Sequence, residues 1–337
     1  MTVHTRPGRL GAVYAVLLVV LAAVICAGIG WGSRDVDVST VWSALTDFDP
    51  DSPAQTVIRE MRLPRTLIGL LAGAALGLGG AILQGSTRNP LADPGIMGIN
   101  AGAGAFIVTA ILLVGAMPLS VYVVLAFCGA ALTTALVYVV AAFGREGATP
   151  VKLALAGAAV SAGLYSVTSG VVLINVDALN ELRFWQVGAL AGRYWPVLTQ
   201  AAPFLIIGIV AALACGRLLN GLALGDDLAV ALGQRVQRTR IGLFLVVAVL
   251  CGAATAACGP IVFVGLVIPH VARALCGPDY RWVLAYSAVL GPIVLLVADI
   301  IGRVIAPPGE VQVGVVLGVL GAFAFIALVR RRDLAEL

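Results

Sequence analysis

Long apolar runs separated by short polar connectors set the rhythm of this chain. Residues 11–31, 63–84, 95–114, 118–142, 151–174, 196–214, 241–258, 282–305 and 311–329 are each dominated by Ala, Val, Leu, Ile and Gly. A helix of about 20 such residues spans the hydrocarbon core of a bilayer. A tenth stretch, Gly259 to His270, is too short to cross upright and is bracketed by Pro260 and Pro269. It predicts a short re-entrant or displaced helix. Residues 180–192 predict another short helix lying near the surface. The connector 32–60 carries aspartates at 35, 37, 47, 49 and 51 and predicts a solvated loop with short helical pieces. The expected fold is all-α: a polytopic membrane bundle of about ten transmembrane helices, forming a single domain over residues 1–337.

The run from Leu63 to Leu83 is unlike the others. Gly69, Gly73 and Gly77 recur four apart, with Ala72 and Gly80 beside them. In water that much glycine weakens a helix. In lipid it lets neighbouring helices approach closely, which predicts a central place in the bundle. Arg62 and Arg65 mark one end of this helix, and the polar stretch from Gln84 to Pro90 marks the other.

Composition agrees. The chain has 337 residues, 61% hydrophobic and 11% charged, with a mean hydropathy of +1.05; soluble domains carry about 25% charged residues. The net charge of +4 is small and dispersed, which argues against nucleic acid as a partner. The six cysteines show no CxxC spacing and read as small hydrophobes. The first apolar run is long and lacks a small-residue cleavage site, so it predicts a retained helix rather than a signal peptide. With the N-terminus inside, fourteen Lys and Arg residues fall in inner segments and seven in outer ones. The positive-inside rule then places both termini in the cytoplasm.

Candidate chemistry is sparse. There is no GxxxxGK[ST], no HExxH, and only two histidines, His4 and His270. Ser169 lies in an apolar run with no histidine close in sequence, which disfavours a serine hydrolase. The carboxylate within a span, Asp299, stands four residues before Arg303 near a helix end, where pairing of the two accounts for both. A secondary carrier acting alone is disfavoured by the lack of a membrane-embedded acid in the first eight spans. Residues 217–240, RLLNGLALGDDLAVALGQRVQRTR, alternate apolar and charged positions and predict a short amphipathic helix. That helix is either a solvated connector with topology signals or a docking element for a cytosolic partner, and the pattern is compatible with both.

Taken together, several stretches resemble the FecCD type of ABC-importer permease, which serves iron–siderophore, haem and cobalamin uptake. They are RLPRTL at 62–67, NPLADPG at 89–95, ALAG at 154–157, LGDDLAVALG at 224–233, GPIVFVGLVIPHVAR at 259–273 and ADIIGR at 298–303. The resemblance covers nearly the whole chain, in order.

It implies a type II importer permease that pairs with a second permease subunit and two cytosolic ABC ATPases. It also implies an extracytoplasmic substrate-binding protein and a bacterial plasma membrane. The chain is then a transport subunit and not itself an enzyme. It carries no cofactor or metal of its own, ATP and magnesium belonging to the ATPase. By the same resemblance Arg62, Arg65 and Arg303 dock carboxylates of the binding protein. Residues 222–235, with Leu224, Gly225, Asp226, Asp227, Ala229, Ala231 and Leu232 and a bend at Gly233, couple to the ATPase. Asn89, Pro90 and Leu91 form one cytoplasmic gate and Thr149, Pro150 and Val151 the other, where some members carry hydroxyls instead of Pro150 and Val151. Ser161, Ser166, Thr168, Ser169 and Trp185 line the path. The implied cargo is a metal chelate, with ferric siderophore expected ahead of cobalamin or haem.

Overall fold

A computed structural model describes residues 7–32, 37–143, 149–306 and 309–330. Arg6, Arg34, Arg145, Arg331 and Arg332, used in the charge count above, lie outside these. Among the described residues fifteen α-helices follow in order: α1 (Pro7–Gly30), α2 (Val38–Thr46), α3 (Pro53–Thr56), α4 (Leu63–Thr87), α5 (Ile99–Val114), α6 (Leu119–Ala142), α7 (Pro150–Ile174) and α8 (Val176–Gln186). The second half holds α9 (Trp195–Ala214), α10 (Gly216–Ala223), α11 (Asp226–Ala231), α12 (Val236–Cys258), α13 (Val264–Cys276), α14 (Tyr280–Val304) and α15 (Val313–Arg330). Among the described residues, seven helices are long and apolar enough to cross a membrane, and Ile99–Val114, Val264–Cys276 and Val313–Ile326 are shorter apolar ones.

The glycine-rich run is the axis of the molecule. Every residue of α4 from Ala72 to Thr87 is buried, with α14, α12, α13 and α9 packed around it. A π-helical turn, Val57–Arg62, joins α3 to α4, so one helical rod runs from Pro53 to Thr87, starting ten residues before the apolar run does. Two contacts explain the small residues. A Cβ at Gly73 would fall on the backbone of Gly291 and Pro292, and one at Gly80 would fall on the backbone of Gly265. Backbone-to-backbone approach of this kind exposes large areas to dispersion contact, the main attraction between helices in lipid.

The short tenth helix differs from expectation. Residues 259–263 are irregular, with Gly259 at φ 75° and Phe263 at φ 68° in the left-handed region, and the helix begins only at Val264. Pro269 sits inside it rather than closing it. Proline lacks the N–H that would satisfy the carbonyl four residues back, that of Gly265. Gln84 of α4 supplies the missing donor, its Nε2 lying 3.3 Å from Gly265 O and 3.1 Å from Leu266 O. The helix predicted at 180–192 is also shifted, to Val176–Gln186, because Asn175 Oδ1 caps its start by accepting from Ala178 N at 2.8 Å.

Candidate functional site

Charge is concentrated at the two ends of α4. At its start, Arg62, Arg65 and Arg303 converge on a pocket of about 290 Å3 that Glu310, Met61 and Tyr194 also line. Distant segments of sequence are thereby united, but the arginines do not stand out from the surface. Arg62 is 6% exposed and Arg303 2%, and the Arg65 side chain 12%. A guanidinium drawn in this far needs partners, since burying an unpaired charge is costly. Arg62 Nη1 donates to Ile29 O (3.2 Å) and Gly30 O (2.5 Å), carbonyls at the end of α1. Arg303 Nη1 donates to Gly28 O (2.7 Å) and Trp31 O (3.2 Å). Its Nε donates to Asp299 Oδ2 at 3.0 Å, and its Nη2 reaches the same oxygen.

The Asp299–Arg303 pair expected within one helix is therefore present, but it is half of a larger network. Arg65 forks onto the same carboxylate through Nε (3.0 and 3.2 Å) and Nη2 (2.8 Å). Its Nη1 donates to Glu310 Oε2 at 2.7 Å. One carboxylate, 1% exposed, thus serves two arginines from α4 and α14.

At the opposite end of α4 the chain turns at Arg88, in the left-handed region at φ 50°. Asn89 Oδ1 accepts from Leu91 N at 2.9 Å, and His270 Nε2 lies 3.0 Å from Pro90 O. Arg273 Nη2 donates to Gln84 Oε1. The polar face of α13 thus holds this turn in place. Asp226 opens α11 and accepts from Arg88 (3.2 Å) and Arg240 (3.0 Å), tying the short helix to the end of α4 and the start of α12. Acidic residues at 226 and 227 also suit the positive end of the helix.

The segment 217–240 resolves into α10, α11 and the start of α12 rather than one helix. Gly225 (φ 104°) and Gly233 (φ 84°) bound α11. Ala229 is buried, whereas Leu224, Leu228 and Leu232, spaced four apart, leave more than half of their surfaces open. Asp227 and Ala231 are exposed as well.

Thr149, Pro150 and Val151 form the start of α7. Thr149 Oγ1 caps it by accepting from Lys152 N at 3.4 Å, Pro150 takes the first helical position, and Val151 is exposed. Along α7, Ser166 and Ser169 are exposed, Ser161 is half-buried and Thr168 is buried. Ser166 Oγ donates to its own backbone at Ala162 O (2.9 Å). Trp185 of α8 is buried and lines a separate cavity of about 270 Å3 with Arg193 and Gln312. Sequence reasoning gave no role to Glu310, Gln84, Arg88, Arg240 or Arg273; the partners of all but Arg240 lie more than 130 residues along the chain.

An all-helical, membrane-spanning bundle with a charged pocket at one end and a tethered, apolar-faced short helix at the other is the build of a transport permease. The chain belongs to the FecCD transport family, which it matches over residues 18–331. It is 45% identical over 316 residues to the ferric enterobactin transport system permease protein FepD of Escherichia coli (strain K12), covering 94% of this chain and 93% of that one. With FepG of the same organism, also a ferric enterobactin transport system permease protein, it shares 38% identity over 316 residues, 92% and 94% of the two chains. A solved structure described as an inward-facing conformation of a metal-chelate type ABC transporter matches with a TM-score of 0.84 and 26% identity. That match covers 95% of this chain and 99% of the other.

Proposed function

We propose that this chain is the transmembrane subunit of an ATP-driven importer that moves a ferric siderophore from an extracytoplasmic binding protein into the cytoplasm. The observation that carries the reading is the end-to-end similarity to two ferric enterobactin permeases. The geometry supports it at both ends. The arginine pocket suits carboxylates, because guanidinium groups hold them with paired, charge-assisted bonds. The exposed leucines in and beside α11 suit the groove of an ATPase that binds ATP and magnesium. The pocket then faces outward, and α11 and both termini face the cytoplasm of a bacterial cell.

A second permease subunit completes the path. α7 supports this: only a minor share of it is buried within the chain, and its open surface includes Ala158, Ala162, Ser166 and Ser169, small residues that suit close helix contact. FepD and FepG, two permease proteins of one named system, favour a paralogous partner. Closure of the ATPase dimer moves α11. Asp226 passes that movement to Arg88 and the neighbouring turn at Asn89–Leu91, while Thr149–Val151 moves with the start of α7. Such coupling requires two global states that differ in their contacts with the ATPase.

The test is uptake of radioactive iron by cells with and without the gene, offered as a panel of ferric siderophores. Loss of uptake for one siderophore, with haem and cobalamin uptake intact, is the expected result. Intact iron uptake with lost cobalamin or haem uptake would reassign the cargo and leave the permease reading in place.

A further inference from the structure

Glu310 differs from the other charged groups around the arginine pocket. It lies between α14 and α15, and 27% of its side chain is exposed against 1% for Asp299. It holds Arg65 through one ion pair, Nη1 to Oε2 at 2.7 Å. Asp299 engages the other edge of that guanidinium through Nε and Nη2. Arg65 therefore has one edge fixed inward and one edge turned to the pocket and covered by Glu310.

We propose that Glu310 is a resident carboxylate: it occupies the docking edge of Arg65 in the undocked permease and yields it to an acidic side chain of the binding protein. The inference rests on the docking reading above and adds what fills that site beforehand. Asp299 is not exchangeable, because its removal strands the buried guanidinium of Arg303 and takes from Arg65 the counter-ion the two share. Glu310 is. A partly exposed ion pair contributes little net stability, so an incoming carboxylate replaces it at small cost.

The exchange leaves the charge on Arg65 neutralised throughout, first by one carboxylate and then by another. At about 290 Å3 the pocket admits a side chain or two and is small for a chelate of drug size. The swing is also local. Val311 N donates to Gly302 O at 2.8 Å and Gly314 N to Gly188 O at 3.0 Å, so the backbone beside Glu310 stays anchored while its side chain moves. Self-occupancy lowers the apparent affinity for the binding protein in proportion to the fraction of sites left open. It also admits only a partner that brings its own acid.

The experiment uses the permease–ATPase complex in lipid nanodiscs and the fluorescently labelled binding protein of the same transport system. Affinity is read by anisotropy at low and at high salt, for the natural chain and for Glu310→Gln, Glu310→Ala, Glu310→Asp and Arg65→Lys. Glu310→Gln and Glu310→Ala should each bind about two- to fivefold more tightly at low salt, the gain expected from removing a partly exposed competing pair. The gain should shrink at high salt. Glu310→Asp, which keeps the charge, should stay near the natural affinity. A misfolded variant cannot mimic a gain in binding.

If Arg65→Lys weakens binding while Glu310→Gln and Glu310→Ala do not strengthen it, the exchange is wrong and docking stands. If Glu310→Asp tightens binding as much as Glu310→Ala, the effect belongs to the loop and the exchange is overturned. If neither salt nor Arg65→Lys moves the affinity, the pocket is not a docking site, and the exchange falls with it.

Discussion

Asp299 offers the sharpest test of what holds the arginine end together. Asp299→Asn keeps the shape of the side chain but removes the charge shared by Arg65 and Arg303. Arg303, 2% exposed, then keeps only the neutral carbonyls of Gly28 and Trp31 and an amide oxygen, and Arg65 keeps only the rim carboxylate of Glu310. Breaking a buried pair by removing one partner costs about 3–5 kcal/mol. Because the pocket opens to solvent, the lower bound applies here, about 3 kcal/mol, or roughly a hundredfold in the folded-to-unfolded ratio at about 1.4 kcal/mol per decade. The assay is equilibrium unfolding in mixed micelles by titration with sodium dodecyl sulfate, followed by tryptophan fluorescence. It is run on Asp299→Asn, Arg303→Met and the double variant. The double variant should cost about 1.5 kcal/mol or more below the sum of the two single costs, since Asp299→Asn strands the charge of Arg303 and the double variant removes that stranded charge, while Arg303→Met alone leaves Asp299 paired with Arg65. Additivity within about 0.5 kcal/mol would refute the shared-counter-ion argument.

Gly80→Ala drives a methyl into the Gly265 backbone and should cost about 1–3 kcal/mol. Gly242→Ala, with open space around it, should be neutral or stabilising in the same titration. Arg88→Glu and Asp226→Lys should each lower transport several-fold while the ATPase still co-purifies, and the double swap should recover part of it; no recovery would show that the 3.2 Å pair does not carry the motion. Leu228→Glu or Gly233→Trp should abolish co-purification of the ATPase, whereas Gly233→Asn, which tolerates the left-handed φ of 84°, should retain it. Normal ATPase yield with Gly233→Trp would remove α11 as the contact.

Much of this architecture is legible from residue order alone. A bilayer demands about twenty apolar residues per crossing, so the long helices announce themselves without reference to their neighbours. The glycine spacing in α4 likewise predicts a central helix, because it serves close approach and little else. Asp299 and Arg303 are visible as a pair, being four residues apart on one helix.

Tertiary structure decided what residue order could not. How α13 continues through Pro269 depends on Gln84, some 180 residues away, donating to the Gly265 carbonyl that Pro269 leaves open. Whether Arg65 points out or in depends on Asp299 and Glu310, 234 and 245 residues along the chain. Local pattern reports what solvent a segment needs, lipid or water. It carries no record of which distant carbonyl or carboxylate will satisfy a buried donor, because that partner is chosen only when the helices pack.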